Sequence, residues 1–355
     1  MINIPQVQIT YFALKGGLNL VTPPLSMPDG MCKDALNFEA DVDGGYRRVA
    51  GYERFDGRPA PSDASYRLIY VTFSAAVNVG DTITGATSLA TGVVIAVTDE
   101  YIVFTKSSGN FQSGENIEVS SVVKAVANDT AVEGGAPTQL LNAQYRNLAA
   151  DEYRNDIQAV PGSGDVLGVH RYNGKVYAFR NNVGATAAEM YESSTGGWVK
   201  VELGYEIEFT NASGSLADAQ TLTQGGVTAT INRVVMETGT LLSGTNTGRL
   251  IITLPSGGNF AAGAATTSGG GSLTLGGAET AITMAPSGRY EIINNNFGGL
   301  AGAIKMYGVS GVHRAFEFDG TVYVPIRTGM VSDTPTHITA HLNYLFLGFN
   351  GSAQY

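Results

Sequence analysis

Two histidines four apart, His337 and His341, and three close carboxylate pairs are the residues of this chain whose types and spacing could do chemistry. The pairs are Glu115 with Glu118, Asp151 with Glu152, and Glu206 with Glu208. On a helix the two histidines would share a face and suit a metal ion. They stand instead in THITAHLNYLFLGF (336–349), whose β-branched and aromatic content reads as strand. Four residues of strand span about 13 Å, too far to share one ion. Paired carboxylates are the machinery of glycoside cleavage, but no pair here is set among aromatic sugar platforms, and Glu206 and Glu208 alternate as solvated strand residues do. The single tryptophan, Trp198, reads as core beside Val199 and Val201. His170 and His313 read as packing or hydrogen-bonding residues. The glycine-rich SGGGSLTLGG (268–277) lacks the Lys–Ser/Thr and the helix of a phosphate cradle, and reads as a loop. One cysteine, Cys32, excludes an intramolecular disulfide and a cysteine zinc site. No catalytic residue, cofactor or metal is expected.

The basic concentration of the chain is Arg47, Arg48, Arg54 and Arg58, against a formal net charge of −10. By themselves the arginines read as a surface strand paired with Glu53 and Asp56. The acidity argues against a sequence-reading nucleic-acid binder, which needs a basic face to displace counterions. It is compatible with a conduit through which DNA slides, and equally with charge that serves solubility.

These side chains must be positioned by strands. At 355 residues, two or more domains are the default expectation. Glycine is 46 residues and charged residues are 15%, while 43% are hydrophobic, a balance of many short strands joined by tight turns. In VLGVHRYNGKVYAFRNN (166–182), alternating runs flank Asn173–Gly174, a strong hairpin signal. AEMYESS (188–194) and WVKVEL (198–203) supply two more strands, the content of one propeller blade. GVHRAFEFDGTVYVPIRTG (311–329) and HITAHLNYLFLGFNGSAQY (337–355) repeat the theme loosely, with SAQY against AEMY.

A second kind of sequence is aromatic-poor and rich in Gly, Thr and Ala. Residues 77–120 and 221–268 share a strand–turn–strand rhythm ending in SGNFQSGE (108–115) and SGGNFAAGA (256–264). The repeat predicts two related small β-barrel or sandwich modules, with Phe111 and Phe260 plugging their cores and Gly114 and Gly263 supplying turn geometry. One helix is expected over 138–164, with Leu141, Tyr145, Leu148 and Tyr153 near helical spacing, Pro137 ahead of it and Pro161–Gly162 ending it. No basic leader followed by a long apolar run opens the chain, and no window is long and apolar enough for a membrane helix.

The first sixty residues carry the pattern KGGLN…PPL…LNFEADVDGGYRRVAGYE. That segment resembles the N-terminal region of the β-propeller tail nozzle (tail tubular or tail hub) proteins of short-tailed bacteriophages, and 138–200 resembles them again. The resemblance implies a virion structural protein of the tail, made in the host cytoplasm, and not an enzyme. It also implies a second reading of Arg47, Arg48, Arg54 and Arg58, as a segment docking on a neighbouring subunit or the connector ring, where the planar guanidinium pairs carboxylates bidentately. Its relatives form a ring, hexameric in the best-known cases. That ring lies below the portal-adaptor, extends the DNA channel for non-specific passage of duplex, and anchors tail fibres or spikes. The expected fold is all-β: an incomplete or composite β-propeller with two small homologous β-barrel or sandwich inserts and one short helix. The boundaries are an N-terminal arm over 1–35, first propeller strands over 36–74, an inserted module over 75–135 and a helix plus blade over 136–205. A second inserted module follows over 206–285, then further blade strands over 286–355 that stop before the ring closes. The alternative is a receptor-binding or glycan-depolymerising tail protein.

Overall fold

The computed structural model describes residues 16–34, 37–40, 46–49, 51–299 and 304–350. The chain divides into two compact units, Met1–Glu53 and Arg54–Tyr355. In the first, Gly17–Leu18 pairs in parallel with Met31–Cys32, and Phe38–Ala40 pairs antiparallel with Tyr46–Arg48. The Asn19 side-chain oxygen accepts from the N–H groups of Val21 and Thr22, turning the chain toward Pro23 and Pro24. The Gly44–Gly45 pair of the N-terminal pattern lies outside the described residues, as does the SAQY repeat at 352–355.

The second unit is β-structure throughout, apart from one α-helix and a 3-10 turn among its described residues. Six strands close a first barrel: Arg67–Phe73, Thr82–Gly85, Thr91–Val97, Tyr101–Ser108, Asn116–Val119 and Val122–Ala127. Around the wall they run first, fourth, third, second, fifth and sixth, and the sixth pairs back onto the first. Arg67–Phe73, within the stretch expected to lead the propeller, is thus the barrel's first strand. Its Ile69 and Val71 face the barrel core, and Ala125–Ala127 closes the wall across it. A second barrel is built from Tyr205–Ser213, Thr221–Gln224, Val227–Thr238, Thr247–Ile252, Gly263–Thr267 and Ser272–Leu275, in the same order around the wall. Each barrel also adds a short seventh strand against its first: Val132–Glu133 in one, Thr280–Ala281 in the other.

Phe111 and Phe260, at 1% and 2% exposed, sit in the cores of these barrels, each on the segment between the fourth and fifth strands. Phe111 packs edge-to-face on Phe104, with ring centroids 5.1 Å apart. The N–H that follows each phenylalanine is held by a side chain, but from opposite directions. In the first barrel, buried Glu115 on that segment accepts from Gln112 N–H at 2.5 Å. It also takes the Ser88 N–H (2.9 Å), the Thr87 N–H (3.2 Å) and the Ser88 hydroxyl (2.8 Å). In the second, Gln224 at the end of the second strand accepts from Ala261 N–H at 2.8 Å and donates to Ala261 O at 2.9 Å. The residue ending the second strand of the first barrel is Gly85, where a Cβ would lie 2.3 Å from Ser88 Oγ, itself bound to Glu115, and 2.6 Å from Glu115 Oε1. The residue after the motif glycine of the second barrel is Ala264. Gly85 with Glu115 is therefore exchanged for Gln224 with Ala264.

Two four-stranded antiparallel meanders form the blades. The first is Ser163–Tyr172, Lys175–Asn181, Ala188–Ser194 and Gly197–Lys200; the second is Glu291–Asn295, Lys305–Val309, Phe316–Phe318 and Tyr323–Pro325. The Asn173–Gly174 turn has φ of 46° and 79°, the left-handed pair a two-residue hairpin requires. The sheets bury one shared core of Tyr172, Tyr177, Phe179, Met190, Tyr290, Met306, Phe316, Phe318 and Tyr323. Phe179 stacks on Tyr290 at 4.2 Å. A two-stranded hairpin of His337–His341 and Tyr344–Gly348 lies against the second sheet, with His337 at Glu291.

The helix runs over Gln139–Asp156, with the Thr138 hydroxyl accepting from Leu141 N–H as its cap. It ends before the expected Pro161–Gly162, because Ile157 is already extended and buried and the Asp156 carbonyl is taken by Arg58. Tyr145 and Ala149 pack on Tyr66, Leu68, Ile95, Tyr101 and Val103 of the first barrel's outer wall.

Phe111→Ala and Phe260→Ala should each cost about 3–5 kcal/mol, read by equilibrium urea unfolding. Glu115→Ala leaves three part-buried N–H groups without their acceptor and should cost about 2 kcal/mol. Gly85→Gln should also destabilise, by collision with Glu115, and the double variant should recover at least about 1 kcal/mol of the summed loss; strictly additive losses would refute the exchange. Burial pushes the Glu115 pKa up, but hydrogen bonds from Gln112, Ser88 and Thr87 outweigh it, and the net shift is downward. With the folded-state pKa below the unfolded one, this stabilisation is full above the ordinary carboxylate range. It fades as pH falls through the folded value, a dependence that Glu115→Ala should remove.

Candidate functional site

The four arginines of the basic segment fall in both units. Arg47 and Arg48 lie on Tyr46–Arg48, exposed, with Arg47 Nε donating to Glu39 Oε1 at 2.7 Å on the facing strand. Arg54 is exposed at the start of the second unit. Arg58 is engaged within the chain. It pairs with Asp56, whose side chain is fully buried, and donates to the Asp156 carbonyl at 2.8 Å. Asp56 also accepts from Arg58 N–H at 2.9 Å and Gln158 N–H at 3.0 Å, so it joins this segment to the end of the helix.

Five of the six carboxylates singled out for possible chemistry are held by partners in the chain, and Glu118 stands on the fifth strand of the first barrel. Glu115 is the barrel latch; Asp151 pairs with Arg154, and Glu152 with Lys106 at 2.9 Å. Glu206 and Glu208 belong to a charged seam between the second barrel and the second blade. Arg249, 3% exposed, donates to Glu206 at 2.5 Å, to Glu237 at 2.9 Å and to the Pro325 carbonyl at 2.7 Å. Arg327, just beyond the blade's last strand, reaches back to Glu206 at 2.5 Å and Glu208 at 2.9 Å. Arg233 on the barrel meets Asp218 at 3.0 Å, Glu317 at 3.3 Å and Asp319. Glu317 is further bound by Lys305 at 2.5 Å and by the Tyr307 hydroxyl at 3.0 Å.

The electrostatics follow from these contacts. Burial raises the Glu206 pKa, but Arg249 and then Arg327 outweigh it and hold the carboxyl below its usual range. Burial likewise pushes the Asp319 pKa up, but the N–H groups of Val322 and Thr321 together with Arg233 outweigh it, and the net shift is downward. A carboxyl held ionised in this way is a poor proton donor. None of the seam arginines was singled out from the sequence. The available signal was Arg249 inside the apolar run GRLIIT (248–253).

The histidines are likewise placed. His337 and His341 lie on one strand, and His337 Nδ1 stands 3.0 Å from Glu291. His170 Nε2 stands 2.9 Å from Asn294 Oδ1. His313 lies 2.8 Å from the Tyr290 hydroxyl and 2.7 Å from the Arg314 carbonyl, and burial pushes its pKa down. Ser268–Gly271 turns the hairpin between the fifth and sixth strands of the second barrel. Trp198 packs beside Val160, Ala178 and Tyr191. Among the described residues no group of three or more His, Cys, Asp or Glu could hold a metal ion, and no helix is long and apolar enough to cross a membrane.

No family model, no curated protein and no solved structure matches the chain.

Arg58→Ala leaves a buried Asp56 carboxylate without its cation and should cost about 3 kcal/mol. Arg48→Ala, at an exposed site, should stay within about 0.5 kcal/mol of the parent. Thermal unfolding of the two variants side by side measures the difference, and equal losses would contradict it.

Proposed function

We propose that this protein is a ring-forming structural component of a short-tailed phage tail, a nozzle or hub that extends a DNA channel. The reading rests on the N-terminal pattern together with one structural observation. The first strands of three successive blade elements adjoin one another through side chains: His170 of Ser163–Tyr172 meets Asn294 of Glu291–Asn295, and Glu291 meets His337 of His337–His341. Asn294 also donates to the Arg171 carbonyl at 2.9 Å. Blades placed about an axis by their first strands, with their aromatic faces stacked, follow propeller geometry. In the proposed assembly, copies form a ring, hexameric by the resemblance, beneath a portal-adaptor. The first barrel, ahead of the blades, and the second, inserted between them, are the surfaces offered to neighbours, fibres or spikes. Duplex DNA passes through without sequence-specific contact, which suits a chain of net charge −10.

Native mass measurement with electron imaging tests the assembly. A ring with an axial hole is expected; a compact trimer that cleaves surface glycan, or a monomer, would overturn it. Arg47→Glu with Arg48→Glu should hinder ring formation while leaving the unfolding midpoint of the monomer unchanged, and undiminished assembly would remove the docking role from these residues.

A further inference from the structure

We propose that the second barrel is a swinging module, seated on the second blade by the Arg233–Arg249–Arg327 clasp and hinged on a two-stranded neck. The neck is where the chain enters and leaves the barrel. Tyr205 and Glu206 pair with Ala281 and Thr280, and the Ile282 N–H donates to the Gly204 carbonyl at 3.0 Å. Gly204 stands at the point of entry with φ of 81°, a conformation that gives glycine freedom other residues lack. Both connections therefore leave from one place, so the barrel can rotate about them without breaking its own wall.

What seats the barrel is ionic. Its apolar core and the shared core of the blades are separate clusters, and the linker residues Val201, Leu203 and Ile282 pack with the blades. On the outer wall Ile251 is buried near Gly204, at the pivot. The polar contacts along the seam are Arg249 with the Pro325 carbonyl, Arg327 with Glu206 of the neck and with Glu208 and Glu237, and Arg233 with Glu317 and Asp319. Clefts of about 600 and 810 Å³ open on either side of this line and a third of about 530 Å³ lies at the neck, all bordered by residues of both bodies. The first barrel is the internal contrast. The wall formed by its first, third and fourth strands meets the helix through an apolar patch of Leu68, Ile95, Tyr101 and Val103, to which Lys106 adds ion pairs with Glu152 and Asp156, and the cleft beside it is about 340 Å³. Apolar burial fixes a pose over its whole area, whereas a few ion pairs are lost together once one is broken or screened.

Distance measurement by double electron–electron resonance on the full chain, with Cys32→Ser, tests the device. One spin-label pair at Thr221 and Val183 reports the second barrel against the first blade; a control pair at Val79 and Leu140 reports the first barrel against the helix. Arg249→Met should shift the ratio of displaced to seated barrel by on the order of 100-fold, because it leaves Glu206 and Glu237 short of a buried cation. Raising salt from about 0.05 M to about 1 M should move the parent in the same direction, more weakly because the buried pairs are poorly screened. The control pair should not move. Amide protection of Ile207, Leu250 and Ile252 verifies that the barrel is folded. If Arg249→Met unfolds it, Arg233→Gln and Arg327→Gln, at half-exposed positions, carry the test. An unchanged Thr221–Val183 distance in a folded variant, or equal movement of both pairs, overturns the proposal.

Discussion

The stacking of the two blade sheets, centred on Phe179 against Tyr290, is the contact to which the rest of the second unit is fitted. Its two halves are separated in sequence by the whole second barrel. For them to meet, whatever is inserted must return the chain to within a strand's width of where it left. A closed barrel whose seventh strand lies against its first does this, which is why Tyr205 and Ala281 are neighbours. The aromatic pairs contribute roughly 0.5–1.5 kcal/mol each beyond their buried area. Directly opposite Phe316, Gly308 leaves the room its ring needs, since a Cβ there would sit 2.4 Å from the ring.

Much of this was legible in the sequence because it is written locally. Asn173–Gly174 specifies its turn through two residues tolerant of positive φ, and Thr138 after Pro137 marks the start of the helix. The Asn–Phe–x–x–Gly repeat betrayed the kinship of the two barrels, and their common strand order follows it. The illegible parts are those fixed by distant partners. Arg67–Phe73 reads as a strand from its own residues, but only Ala125–Ala127 makes it a barrel wall. The Leu342–Asn343 turn, with φ of 46° and 64°, carries no glycine to announce it. Arg249 is unremarkable until Glu206 and Pro325 are brought to it across 43 and 76 positions.

The two barrels also show one architecture put to different mechanical use. Each docks through the outer wall of its first, third and fourth strands, the first barrel with aliphatic and tyrosine side chains and the second with Glu206, Arg233 and Arg249. Core and topology are retained while the outward residues of the same strands are rewritten. A strand's alternation allows this, because inward and outward positions are independent choices.

The reversed latch has an evolutionary consequence. Two related segments in one gene invite recombination between copies. A crossover falling between the second strand and the phenylalanine segment would unite Gln224 with a Glu115-bearing loop, or Gly85 with an alanine-bearing one. The first hybrid carries two side chains for one space and the second carries none. Each barrel therefore travels as an indivisible cassette from its second strand through its fifth, and exchange can succeed only at breakpoints outside that span.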